Sequence, residues 1–191
     1  MNNDTLSLDR IDLKLFLDDS VEVDWEGCVQ VFTHWLKADP DEEEWLDIAD
    51  YTHMPQGPGV LVIGPEKHVS IDDRRGELGV LYSRREPFSG TNIERLQQLV
   101  SETARFACLL EEADVGVKVK TDRLEFVVND RLGFPNDAET AAALEADLRA
   151  ALASAGELSF ERDEDPGQRL NLIAHPAEPL TAADWADGVP E

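Results

Sequence analysis

Asp47, Asp50, Tyr51 and His53 lead into the loop Met54-Pro55-Gln56-Gly57-Pro58-Gly59, and His68, Tyr82, Arg84 and Arg85 follow in the next strand-like segments. Side chains of these types, placed at strand ends, are the commonest carriers of function. Asp50 is the sharpest of them, because alternation puts it on the same face as Leu46 and Ile48. A carboxylate on an apolar face needs a cation or several N–H donors, or it stays protonated. One chemistry is a metal or general-acid site built from Asp50, His53 and His68. The simpler alternative is that Asp50 accepts backbone N–H groups of the loop that follows it. Two histidines on separate strands with no fixed spacing do not make a metal motif.

Arg74, Arg75, Arg84 and Arg85 form the only locally basic stretch. Paired guanidinium groups clamp an anion bidentately, although in so acidic a chain they also serve to neutralise nearby carboxylates. An anion pocket, if the chain has one, is expected here. No catalytic residue is identified, and no cofactor is expected. The chain has no GxSxG, no HExxH and no pair of CxxC motifs. Ser83 and Ser89 have no His or Asp at a telling spacing. Gly57-Pro58-Gly59-Val60 lacks the P-loop spacing and leads into a strand instead of a helix. Asp41-Glu42-Glu43-Glu44 and Asp163-Glu164-Asp165 do not follow the calcium-loop pattern and read as solvated turns.

The chain carries 41 Asp and Glu against 17 Lys and Arg, a net charge of −24 over 191 residues. Binding to a phosphate backbone needs a basic face, so nucleic acid is excluded as a partner. Anionic lipid is excluded for the same reason. At 42% hydrophobic residues the chain has enough apolar mass for a folded core. Twelve of the cations are Arg and five are Lys, a balance that suits either a salt-rich cytoplasm or an acidic protein of a GC-rich genome. Cys28 and Cys108 fall on apolar helix faces and read as buried thiols, not as a disulfide framework. No apolar run approaches the ~20 residues of a membrane span, and the N-terminus has no leader pattern. A reduced, cytoplasmic protein is the expectation.

The elements that must position these residues follow from periodicity. Ile11, Leu13, Leu15 and Leu17 alternate as a strand. Asp24 caps a helix running to about Lys37, with Trp25, Cys28, Val29, Phe32, Trp35 and Leu36 on one stripe. A turn is expected at Ala38-Asp39-Pro40-Asp41. Strands follow near 44–50, 60–63, 67–71 and 77–84. A capping box at Thr91-Asn92-Ile93-Glu94 opens a helix to about Ala113. The valine alternation from Val115 to Val128 is either a hairpin turning at Thr121-Asp122 or one long bent strand. A second capping box, at Asn136-Asp137-Ala138-Glu139, opens a helix to Ala155, and a last hairpin joins 158–161 to 170–174. The order β-α-β-β-β-β-α-β-β-α-β-β predicts an α+β fold, a mostly antiparallel sheet with three helices packed on it. Residues 1–10 read as a flexible lead-in and 11–175 as one domain. Within that domain, lobes 11–87 and 114–175 would be joined by the helix 91–113. Residues 176–191 read as an acidic mobile tail.

Two tryptophans stand out from this scheme. Trp45 shares a strand face with Asp47 and Tyr51, and Trp185 is the lone aromatic of the tail. Both are candidate contacts for a partner, either another protein or a second copy of this chain. Trp45, Asp50-Tyr51-x-His53-x-Pro55-x-Gly57-Pro58-Gly59 and Leu81-Tyr82-x-Arg84 together resemble a family of uncharacterised bacterial proteins over the middle third of the chain. The resemblance implies no activity, fold or ligand. Two functions are therefore expected. One is a non-catalytic binding or assembly protein. The alternative is a small enzyme, or an anionic-ligand or metal-binding protein, with its pocket around Asp50, His53, His68 and Arg84.

Overall fold

The structure is a computed structural model and describes residues 7–37 and 44–187. The expected turn at 38–41, most of the acidic run 41–44 and the outer ends of the lead-in and tail lie outside these residues. Eight strands form one sheet: β1 (Ile11–Leu17), β2 (Asp47–Asp50), β3 (Val60–Ile63), β4 (Lys67–Asp72), β5 (Gly79–Arg84), β6 (Val119–Val128), β7 (Leu158–Arg162) and β8 (Asn171–Pro176). Their spatial order is β2-β3-β4-β5-β1-β6-β8-β7, with every pairing antiparallel. The helices are α1 (Trp25–Leu36), α2 (Asn92–Glu112), α3 (Ala138–Ala151) and the short α4 (Ala182–Ala186). This is the α+β fold that the element order predicts. The two expected lobes share the one sheet, because β1 pairs with β5 on one side and β6 on the other.

One apolar row runs straight across the register. Val62, Val69, Tyr82, Leu13, Phe126 and Leu172 are successive cross-strand neighbours, and all are buried. Alternation along each strand keeps such residues on one face. The helices gather on that face. α2 lies on β5 and β1, α1 on β2 and β3, and α3 and α4 pack against α2. The caps are local and read directly from sequence. Asp24 accepts from the Gly27 N–H, and Thr91 and Glu94 close a reciprocal box at α2.

Several expectations are corrected. Residues 7–10 are not a loose lead-in. Leu8 is buried, its N–H donates to Asn92 Oδ1 at 3.0 Å, and Arg95 bridges to Asp9 Oδ1 at 2.7 Å. The valine alternation gives no hairpin. Thr121 and Asp122 sit in an irregularity of one ten-residue strand, opposite Leu15 and Leu17 of β1. The cap of α3 falls one residue later than expected, at Asp137, which accepts from the Thr140 N–H. Asn136 is used elsewhere, donating to the carbonyls of Asp163 and Asp165.

Both tryptophan contacts are also corrected. Trp45 precedes β2 and is released from its alternation. It turns into the core against Trp35 and Phe106, at ring distances of 6.2 and 5.6 Å, with the Lys67 amine over its ring. Burial pulls that amine down to about 8. Leu46 is the exposed neighbour instead. In the tail, Thr181 and Asp184 form a reciprocal capping box like that of α2, and α4 lies on α2 with Trp185 fully buried. A stretch that looks like a polar tail is thus held by one large apolar side chain.

A candidate anion site on the helix-free face of the sheet

Side chains of the opposite parity face away from the helices, and many of them are polar. Across the register His68, Ser83, Asp12, Val127 and Asn171 form one row on β4, β5, β1, β6 and β8. Two residues along each of four of these strands come Arg85, Arg10, Asn129 and Arg169. A spacing of two keeps them on the same face, so four chain segments distant in sequence form a second row beside the first. The rows border a recess of about 270 Å³ lined by Arg10, Asp12, Arg74, Ser83, Arg84, Arg85, Asn129 and Arg169. The backbone joins its walls, as the Asn129 N–H donates to the Arg10 carbonyl at 2.9 Å.

Beside the recess lies a smaller pit of about 70 Å³ over Asp12, Lys14, Asp72, Glu125 and Asn171. All five of these polar side chains are buried, although no helix covers them. The segment between β4 and β5 covers them instead. Arg75 and Gly76 both take left-handed backbone conformations, with φ of 66° and 75°, which folds this segment back over β1. Lys14 Nζ then donates to Asp72 Oδ2 at 2.9 Å and to the carbonyls of Arg74 and Glu77. Gly79 leaves room for it, since a Cβ there would lie 2.5 Å from Lys14 Cε. The fold-back carries Arg74 to the recess and sets Arg75 against Glu125 at 3.3 Å.

The charge pairing around the recess is unusual for this chain. Arg74, Arg75, Arg84, Arg95, Arg105, Arg123, Arg149 and Arg162 each meet a carboxylate. Among the described residues, Arg10, Arg85, Arg131 and Arg169 do not, and Arg131 alone of these lies away from the recess. Arg85 instead lies 3.5 Å from His68 Nδ1, and Arg169 donates to Asn129 Oδ1. Three of them converge over one carboxyl, Asp12.

Asp12 is 4% exposed and accepts from Asn129 Nδ2 at 2.7 Å. Burial pushes its pKa above the ordinary carboxylate value, and hydrogen bonds from Asn129 and Ser83 and the charges of Arg169 and Arg74 only partly offset this. Burial and Arg85 hold His68 below its usual value, so it is neutral at pH 7. Ionising Asp12 therefore costs stability. A group whose folded pKa is raised contributes fully below its unfolded pKa and loses that contribution as pH rises through the folded one. Asp12→Asn is expected to raise the unfolding midpoint at pH 7, with the gain shrinking as pH falls toward 4. Thermal melts at both pH values check this, and equal midpoints at pH 7 would refute it.

The residues singled out from sequence divide into three places. Asp47, Asp50, Tyr51 and His53 lie at the exposed end of β2. Asp47 accepts from the Ile48 N–H, and Asp50 from the N–H and hydroxyl of Thr52. These bonds hold Asp50 below the ordinary carboxylate value. Asp50 is thus exposed and caps its own loop, and it is not a buried carboxylate. Tyr82 and Arg84 have the parity of the helix face. Tyr82 stacks on Phe106, and burial pushes its hydroxyl up to about 12. Arg84 holds Glu66 at 2.9 Å and covers the Phe88 ring. Arg84 and Arg85 line the recess, and His68 lies beside it against Arg85. Among the described residues no three His, Cys, Asp or Glu side chains converge as metal ligands, so Asp50, His53 and His68 form no metal site.

No protein-family model matches the chain, and no curated protein matches it either. The resemblance along the middle third thus brings no residue role with it, and the recess stands on geometry alone. Sequence reasoning missed Arg10, Asp12, Asn129 and Arg169. Arg10-Ile11-Asp12 and Arg169-Leu170-Asn171 carry the signal polar-apolar-polar, while their neighbours Ser83-Arg84-Arg85 and Val127-Val128-Asn129 do not. Only strand pairing shows that these triplets lie side by side. Ser83, which has no telling partner in sequence, sits between His68 and Asp12 once β4, β5 and β1 pair.

Proposed function

We propose that this protein binds a small anionic ligand in the recess formed by Arg10, Arg85 and Arg169. The single observation behind this is that, in a chain with more than twice as many acids as bases, three arginines without carboxylate partners among the described residues meet at one concavity. The three side chains are exposed and alike in charge, and an oxyanion between them supplies both the counter-charge and the hydrogen bonds. The net charge of −24 favours a ligand small enough to enter the recess over a long polyanion.

The leading expectation, an assembly protein, named Trp45 and Trp185 as contact residues, and both are packed inside. Binding is the supported class, with no catalytic role attached to it. A cytoplasmic site of action belongs to the same proposal. It fits the absence, among the described residues, of any helix long and apolar enough to cross a membrane.

Isothermal titration with inorganic phosphate tests the proposal. Arg85→Gln and Arg169→Gln are each expected to weaken binding about tenfold or more, the usual worth of one charged hydrogen bond. Arg131→Gln is the control. Arg131 also meets no carboxylate among the described residues, but it lies outside the recess and donates to the Gly167 carbonyl. No binding by the native protein, or equal loss in the control, would refute the site.

A further inference from the structure

We propose that the recess takes a tetrahedral oxyanion, of the phosphate-monoester or sulfate class, and takes it together with a proton on Asp12. This rests on the anion-site reading and adds what that reading leaves open, the ligand class and its coupling to pH. The three guanidinium groups come from three different strand ends, at the start of β1, the end of β5 and the start of β8. They therefore approach from different directions, which suits a group with three or more acceptor oxygens better than a planar carboxylate, which a single bidentate fork satisfies. Ser83 and Asn129 add a hydroxyl and an amide to the same wall.

The floor of this basic site is itself an acid. An anion seated over Asp12 would meet a like charge in a place shielded from water, and one of the two must be neutralised. The ligand cannot shed its charge without losing the arginines. Asp12 can take a proton, and the protonated carboxyl then becomes a donor to the ligand oxygen. Burial already biases it toward that form.

The charged and titratable groups around Asp12 are few. Arg10 is on its own strand, and Lys14 is tied to Asp72. Arg74 comes from the segment that folds back, His68 from β4, Arg84 (paired with Glu66) and Arg85 from the end of β5, Arg169 from the start of β8, and Glu125, held by Arg75 and Asn171, from β6. Asp12, whose pKa burial raises, and His68, whose pKa burial lowers, would both strengthen anion binding as they gain a proton. The experiment must separate them.

Sulfate is the first probe, because it stays a dianion between pH 5 and 8, so any proton taken up from the buffer on binding goes to the protein. Titrations at several pH values, in buffers of different ionisation heat, report affinity and proton count together. For the native protein the expected result is uptake of close to one proton, with the dissociation constant falling by up to tenfold per pH unit as pH is lowered. Asp12→Asn is expected to keep sulfate binding and abolish both effects, whereas His68→Gln is expected to keep them. Inorganic phosphate, glycerol phosphate and acetate form the second arm. The two phosphates should bind and acetate should be at least tenfold weaker.

Sulfate binding without proton uptake would overturn the proton coupling. So would a slope that persists in Asp12→Asn or vanishes in His68→Gln. Acetate binding as tightly as phosphate would overturn the ligand class. In each of these cases the anion site itself would stand. It falls only if none of the anions binds, or if binding ignores Arg85→Gln and Arg169→Gln, so the two failures are distinct.

Discussion

Lys14→Met loses about 3–5 kcal/mol of stability, the usual cost of removing one partner from a buried ion pair. Lys14 is 2% exposed and Asp72 is 1% exposed. Its ammonium satisfies three acceptors at once, namely Asp72 Oδ2 and the carbonyls of Arg74 and Glu77. Methionine fills the same volume, so the loss is electrostatic, not a cavity. Asp72 is left as a buried carboxylate with only the backbone N–H and side chain of Arg74 beside it. Adding Asp72→Leu to Lys14→Met should recover much of the loss, because an apolar pair of similar size needs no counter-charge. Urea denaturation of the single and double variants measures both. The single variant should also bind sulfate less well, since Lys14 anchors the segment that carries Arg74 to the recess. A change below about 1 kcal/mol in Lys14→Met would mean that the pair is solvated.

Trp185→Ala loses a similar amount, about 3–5 kcal/mol, for emptying the space of a buried tryptophan. Trp185 is fully buried, and α4 is tied to α2 through the Ser101 hydroxyl, which donates to the Ala186 carbonyl at 2.8 Å. Trp185→Phe should keep most of the stability, because the burial is apolar. A mobile acidic tail would make both substitutions silent, so denaturant melts of the two variants separate the alternatives directly. The recess lies on the other side of the sheet, and sulfate affinity under native conditions should be unchanged in both.

These two side chains show where sequence reasoning reaches its limit. Alternation correctly placed Lys14 opposite Leu13 and Leu15, and such a pattern ordinarily means that the polar face is wet. Nothing in the residues of β1 says that a segment some 60 positions later folds back over that face. Trp185 sits among Pro, Ala and acids, where no stripe of period 3.6 can be read. A five-residue helix is too short to display one, and its burial depends on a groove supplied by α2. The caps are different. Asp24, Thr91 and Glu94 bond to groups within three residues, so they are legible wherever they occur.

The candidate site divides along the same line. Arg74, Arg84 and Arg85 were visible as a basic stretch because they are neighbours in the chain. Arg84 and Arg85 both line the recess, yet of the two Arg84 is spent on Glu66 while Arg85 meets no carboxylate among the described residues. Asp50 seemed buried because its parity matched Ile48. β2 ends there, at the sheet margin, and the carboxylate turns to its own loop.

By itself the sequence determined the class of fold, the places where α1 and α2 begin and the sign of the surface charge. These depend on contacts within a few residues or on composition. The order of the strands was left to the tertiary structure, and with it which triplets lie side by side, which polar face is covered and which arginines meet without a counter-charge. Those are properties of pairs far apart in the chain, set by register and burial, and no local pattern encodes them.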